Sequence, residues 1–144
     1  MVEFGCGDGT LPLALPPQAY SKYIGYDISE VATRTATDRA QAAGLSNCSF
    51  KQCDMAQWKG DKGVALFVIE ECLYYLNSSE AESFLLRCCD SLAPGGSVLV
   101  VVHSASKHAS TVSLCKSVCL VQEELTIGDR IFLVLAPMRV GVYE

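Results

Sequence analysis

The chain has 144 residues, half of them hydrophobic and 19% charged, with a formal net charge of -5. That length suits one domain over residues 1–144 with a sizeable core, and the composition excludes a disordered chain. The acidic balance argues against a nucleic-acid surface, and no run of 18 apolar residues is present to span a membrane.

In chain order, residues 2–4 form a stub of strand that runs into Gly5-Cys6-Gly7-Asp8-Gly9. Thr10 to Leu15 predict a short helix that tolerates Pro12 in its first turn and ends at Pro16-Pro17. Tyr23 to Ile28 read as a second strand. Ser29 is a good N-cap for a helix over residues 30–43, which Gly44 ends. Ser49 to Cys53 predict a third strand. Val64 to Ile69 are continuously apolar, as in a strand covered on both faces.

Ser79-x-x-Glu82 fits a capping box. It opens a helix in which Ala81, Phe84, Leu85, Cys88 and Leu92 recur at helical spacing. Ala93-Pro94-Gly95-Gly96 is the turn after it, and Ser97 to His103 the most hydrophobic strand. Residues 107–117 predict a weak helix. Val118 to Thr126 and Arg130 to Met138 predict a hairpin turning at Ile127-Gly128-Asp129. Crossover helices between buried strands imply an α/β fold, a mostly parallel sheet with a C-terminal antiparallel hairpin.

Eight cysteines in so short a chain raise the question of disulfides. Most sit inside apolar patterns, where a thiol acts as a small hydrophobe. No Cys-x-x-Cys pair occurs and only two histidines are present, so no metal site is expected. The N-terminus has neither the basic nor the long apolar region of a signal peptide, and a cytoplasmic location is expected.

In a sheet of this kind ligands bind beyond the carboxyl ends of the strands. Three glycines in the first loop permit close approach of a bound molecule. Asp27, at the end of the second strand, is placed to accept from the two hydroxyls of a ribose. The spacing G-x-G-x-G departs from the G-x-G-x-x-G of dinucleotide enzymes, and Asp8 would repel a pyrophosphate. The glycines also have a plainer reading, in which they only let the following helix pack.

E-F-G-C-G-D-G resembles the first motif of the class I S-adenosylmethionine-dependent methyltransferases. Y-I-G-Y-D-I-S, Q-C-D-M, I-E-E-C-L-Y-Y-L and L-A-P-G-G-S-V-L-V resemble later motifs of that family, in order. The E-x-L-Y-Y-L piece is similar to small-molecule members of the nodulation N-methyltransferase type. The resemblance implies the Rossmann-like class I fold, S-adenosylmethionine as cofactor and a small-molecule acceptor. It implies that Gly5, Gly7 and Gly9 frame the methionine and ribose, with Cys6 lining the loop through its backbone. Glu3 would orient that loop and help hold the ammonium. Asp27 would take the ribose hydroxyls and Ile28 would pack on the adenine. Asp54 would accept from the adenine amino group, and Met55 would touch the ring. Glu70 and Glu71 would follow the fourth strand, where sulfonium and acceptor meet.

Glu71, Tyr74, Tyr75 and His103 are the candidates for a general base or acceptor contact. Each has a bland alternative: a solvated carboxylate, ordinary packing, a capped loop. Trp58 either closes over the adenine or is a core or rim aromatic, His108 is read as surface, and Cys88-Cys89 as partly buried helix residues. The family usually carries helices before the first strand, for which this chain has no residues. An exposed apolar sheet face is therefore expected, covered in a homodimer or larger assembly, with the acceptor site and turnover affected. Two other readings stay open: a cofactor-binding but catalytically silent partner domain, and an NAD-dependent oxidoreductase.

Overall fold

A computed structural model describes residues 1–138. The strands are β1 (Val2–Phe4), β2 (Tyr23–Asp27), β3 (Cys48–Gln52), β4 (Val64–Glu70), β5 (Leu92–Val102), β6 (Cys119–Ile127) and β7 (Arg130–Pro137). The helices are α1 (Thr10–Ala14), α2 (Glu30–Ala42), α3 (Ser78–Ser91) and α4 (Ala109–Val118). One sheet holds all seven strands in the order β3-β2-β1-β4-β5-β7-β6. β1 to β5 run parallel, and β7 is antiparallel to both β5 and β6. The expected α/β fold is therefore the observed one.

Alternation along the strands sorts side chains between the two faces. Val2, Phe4, Phe67, Ile69, Val98, Val100, Leu133 and Leu135 point to one face. There Phe84, Leu85 and Cys88 of α3 and Cys115 of α4 complete the core. Trp58 belongs to that core: it is 5% exposed and meets Phe4 and Phe67 edge-on at 5.0 and 5.5 Å. Its four-way aromatic cluster with Phe84 rules out closure over a ligand. On the other face, α2 covers the β1–β3 half. Toward the hairpin that face shows half-buried Leu99, Phe132 and Val134, and exposed Leu125 and Ile127.

Three boundaries differ from the sequence expectation. The capping box of α3 is built by Asn77 and Glu80, not by Ser79 and Glu82. Asn77 accepts from the Glu80 amide at 2.9 Å, and Glu80 accepts from the Asn77 amide at 3.1 Å. The helix starts one turn-fraction earlier because Asn77, following the turn at Leu73–Tyr75, already has extended backbone. Ala93–Gly96 are drawn into β5 as a register shift opposite β4, since Val64 pairs with Leu92 but Leu66 with Ser97. Leu92 is the C-cap of α3, not a member of its buried stripe. α2 behaves as read: the Ser29 hydroxyl accepts from the Ala32 amide at 3.2 Å.

Candidate active site

β1 and β4 are neighbours whose following loops diverge, because the sheet winds one way from β1 to β3 and the other way from β4 onward. A cleft opens at that reversal. Its volume is about 670 Å³, and its walls come from Gly5, from Tyr26 to Ile28, from Cys53 to Ala56, from Glu70 to Cys72, and from Tyr75, Leu76 and Glu80.

The first wall is the glycine loop. The amides of Gly5 and Cys6 both donate to the Tyr26 carbonyl, at 2.9 and 3.1 Å. This folds the loop back over the end of β2. Gly5 has φ of +77°, and a Cβ there would stand 2.8 Å from the Glu70 carbonyl and 3.1 Å from the Cys72 sulfur. The close approach is thus between two loops of the protein itself. Gly9 follows the plainer reading: its Cβ would meet Ala36 of α2 at 3.0 Å and Phe50 at 3.2 Å. Gly9 is buried and lets α2 pack, and it does not line the cleft. Gly7 and Cys6 also lie outside the lining. The Cys6 thiol packs onto Gly25, and burial pushes it up to about 12.

Asp27 is the hub. Its Oδ2 accepts from the Gly7 amide and its Oδ1 from the Ser29 amide, both at 2.9 Å. A carboxylate accepts about four hydrogen bonds. Two positions therefore remain, on a group that lines the cleft. Ile28 sits at the rim, 69% exposed.

The third wall is the turn after β3. Asp54 caps it by accepting from the Ala56 amide at 2.9 Å, which leaves its second oxygen free of hydrogen bonds among the described residues. Arg87 of α3 was not singled out from the sequence, yet it fastens this turn. Its Nη2 donates to the carbonyls of Met55 (3.3 Å) and Ala56 (3.4 Å). Nothing local marks Arg87, since its partners lie about thirty residues away. Cys53 and Cys72 are further wall residues that sequence reasoning passed over. The Cys72 sulfur lies 3.6 Å from the Met55 sulfur, and burial raises its titration far above the usual thiol range.

Glu71 has φ of +53°, uncommon for a residue with a side chain, and such strain gathers at functional sites. Its amide donates to the Val101 carbonyl at 2.9 Å, and its carboxylate pairs with Arg130 at 2.9 Å. Of the other three candidates, Tyr74 and His103 stand elsewhere. Tyr74 turns away and stacks on His108, with ring centroids 3.9 Å apart and planes 9° from parallel. Tyr75, 78% exposed, lines the cleft in its place. His108 is half-buried by that stacking, contrary to its surface reading. His103 opens onto a separate depression of about 200 Å³ with Ile127, Asp129, Arg130 and Phe132. Glu3 is 1% exposed beneath the loop, where Tyr23 donates to it, and is not part of the cleft wall.

Among the described residues, five carboxylates line the cleft (Asp27, Asp54, Glu70, Glu71 and Glu80) and no Lys or Arg does. Such a site suits a cationic ligand and opposes a pyrophosphate. At the start of α1, Asp8 accepts from the Thr10 hydroxyl at 2.8 Å and pairs with Arg39, so a carboxylate occupies the place a phosphate would need.

Residues 1–96 match the model of a family described as a methyltransferase domain. The chain belongs to that family. No curated protein matches it significantly. The fold of this methyltransferase domain is similar to that of the PH0226 protein from Pyrococcus horikoshii OT3. The TM-score is 0.82 at 16% identity, over 95% of this chain and 81% of that one. It is also similar to the N-methyltransferase NodS from Bradyrhizobium japonicum WM9, solved in complex with S-adenosyl-L-homocysteine. There the TM-score is 0.79 at 19% identity, over 94% of this chain and 76% of that one. The O-methyltransferase NcsB1 from neocarzinostatin biosynthesis, solved with S-adenosylmethionine and a naphthoic acid, gives 0.77 at 19%. That match spans 95% of this chain and 48% of that one. At such identities the likeness is one of fold. The methyltransferase domain thus has the class I fold, with its cleft at the sheet's reversal point.

Proposed function

We propose that this methyltransferase domain binds S-adenosylmethionine in the cleft and transfers its methyl group to a small molecule. The observation that carries this reading is Asp27. Both of its oxygens are fixed by backbone amides, and each keeps capacity for one hydroxyl of a ribose. The donor set fits the cofactor in other respects. The free oxygen of Asp54 and the Met55 side chain would receive the adenine amino group and ring. Glu70 and its acidic neighbours would favour the ammonium and sulfonium charges.

The bound cofactor supplies a methyl group on a sulfonium, already a good leaving group for in-line displacement. What the chain supplies is alignment and exclusion of water. The Gly5 loop and the Glu70–Cys72 loop, packed so closely that a Cβ added at Gly5 would stand 2.8 Å from the Glu70 carbonyl oxygen, fix the two sides of the reacting region. Glu71, bound to Arg130, is an electrostatic neighbour of that region with its charge already compensated. The acceptor is therefore expected to be a nucleophile that needs little help losing a proton.

A second reading, a cofactor-binding but silent partner domain, draws on the same candidates: Glu71 is paired, Tyr74 is stacked on His108, and His103 lies outside the cleft. Isothermal titration tests the cofactor. Micromolar binding of S-adenosylhomocysteine with none of NAD is expected, and the reverse overturns the proposal. Methyl transfer to any of a panel of amine, hydroxyl, thiol and carboxyl acceptors separates the enzyme from the silent domain.

A further inference from the structure

α3 and β6 meet through two sulfurs. Cys89 lies on the last turn of α3 and is half-buried. Its Sγ is 3.7 Å from the Sγ of Cys119, the first residue of β6, which is 1% exposed. Cys88 and Cys115 are fully buried in the same core. Of the two contacting thiols, then, only Cys89 is open to a dissolved reagent.

We propose that Cys89 and Cys119 form a reversible disulfide, with Cys89 meeting the oxidant and Cys119 resolving it. The sulfurs have to close from 3.7 Å to about 2.05 Å. The hydrogen bond between the thiols holds Cys89 below the usual thiol range, while that bond and burial hold Cys119 far above it. Attack as a thiolate therefore belongs to Cys89.

With hydrogen peroxide as oxidant, the Cys89 thiolate attacks one peroxide oxygen and the O–O bond breaks. The departing hydroxide takes a proton and leaves as water, and Cys89 becomes a sulfenic acid. The Cys119 sulfur then attacks the Cys89 sulfur. An S–S bond forms, the S–O bond breaks, and the oxygen leaves as a second water carrying the Cys119 proton. Two thiols lose two electrons, and one peroxide becomes two waters. The loop so closed holds β5 and α4 and contains none of the cleft residues. The bond ties α3 to the hairpin and leaves the cleft walls as they are.

Peptide mapping tests this. The folded protein is exposed to hydrogen peroxide, its remaining thiols are alkylated, and it is digested without reductant. The expected product is a Cys89–Cys119 cross-linked peptide that dithiothreitol releases, with a rise in Tm of roughly 5–10 °C before reduction. In Cys119→Ala the Cys89 sulfenic acid should persist and be captured by dimedone. In Cys89→Ala, Cys119 should stay reduced. Linkage through Cys88 or Cys115 instead overturns the proposal, as does oxidation of Cys89 without a link in the wild type. The wild-type map decides the matter even where a variant does not fold.

Discussion

The Tyr23 hydroxyl donates to the Glu3 carboxyl group in the layer between the sheet and the glycine loop, joining β2 to β1 out of contact with water. Burial raises the Glu3 carboxyl to about 8, the Tyr23 hydrogen bond opposes that rise, and the carboxylates of Glu70 and Asp27 add to it. In the unfolded chain the same group titrates near 4.5. The folded state thus holds the proton more tightly. The stability this contributes is fully present below about pH 4.5 and is lost as the pH rises through 8. Urea unfolding of the wild type should show stability falling by up to about 1.4 kcal/mol per pH unit across that window. Glu3→Gln keeps the hydrogen-bond acceptor and should flatten the slope. An equal slope in both proteins would refute the assignment.

Asp27→Ala removes the acceptor that both the Gly7 and Ser29 amides use and that the ribose would share. Binding of S-adenosylhomocysteine should weaken by roughly 1–3 kcal/mol, about a 5- to 150-fold loss of affinity by titration calorimetry. Unchanged affinity would place the ribose elsewhere.

Gly5 and Gly7 both have positive φ, yet their surroundings differ. A Cβ at Gly5 meets the Glu70 carbonyl at 2.8 Å, whereas nothing lies within 4 Å of one at Gly7. Gly7→Ala should cost only the backbone strain, roughly 1–2 kcal/mol. Gly5→Ala adds a clash with backbone and should cost roughly 2–4 kcal/mol. Denaturant melts of the two variants should rank them in that order.

Because the capping box of α3 uses Asn77, Asn77→Ala should lower stability by about 1 kcal/mol. Ser79→Ala should fall within about 0.5 kcal/mol of the wild type. Paired thermal melts read the difference directly.

The succession of strands and helices and the mostly parallel sheet with its antiparallel hairpin were legible because apolar runs, glycine turns and caps are local signals; the spatial order of the strands was not among them. Asp27 was legible as a wall residue from its place at the end of the second strand, whereas Asp54 and Glu70 came from the family resemblance; all three lie at or just beyond the ends of parallel strands. Orientation was not. Whether Tyr74 or Tyr75 faces the cleft depends on a single turn at Leu73–Tyr75 and on His108, thirty-four residues further on, to which Tyr74 stacks. Trp58 could be read two ways until Phe4, Phe67 and Phe84, brought from three separate elements, enclosed it. Glu71 looked like a free carboxylate because Arg130 is remote in sequence and adjacent only once β7 has paired with β5.

β7 lies between β5 and β6, although it follows both in the chain. During synthesis the growing polypeptide carries β5 with an unzipped flank, and β6 without any neighbour, until Pro137 has emerged from the ribosome. Ordering of the hairpin half must wait for that moment. A nascent chain stalled just short of it would display an adhesive β5 margin, the condition under which holding chaperones are recruited.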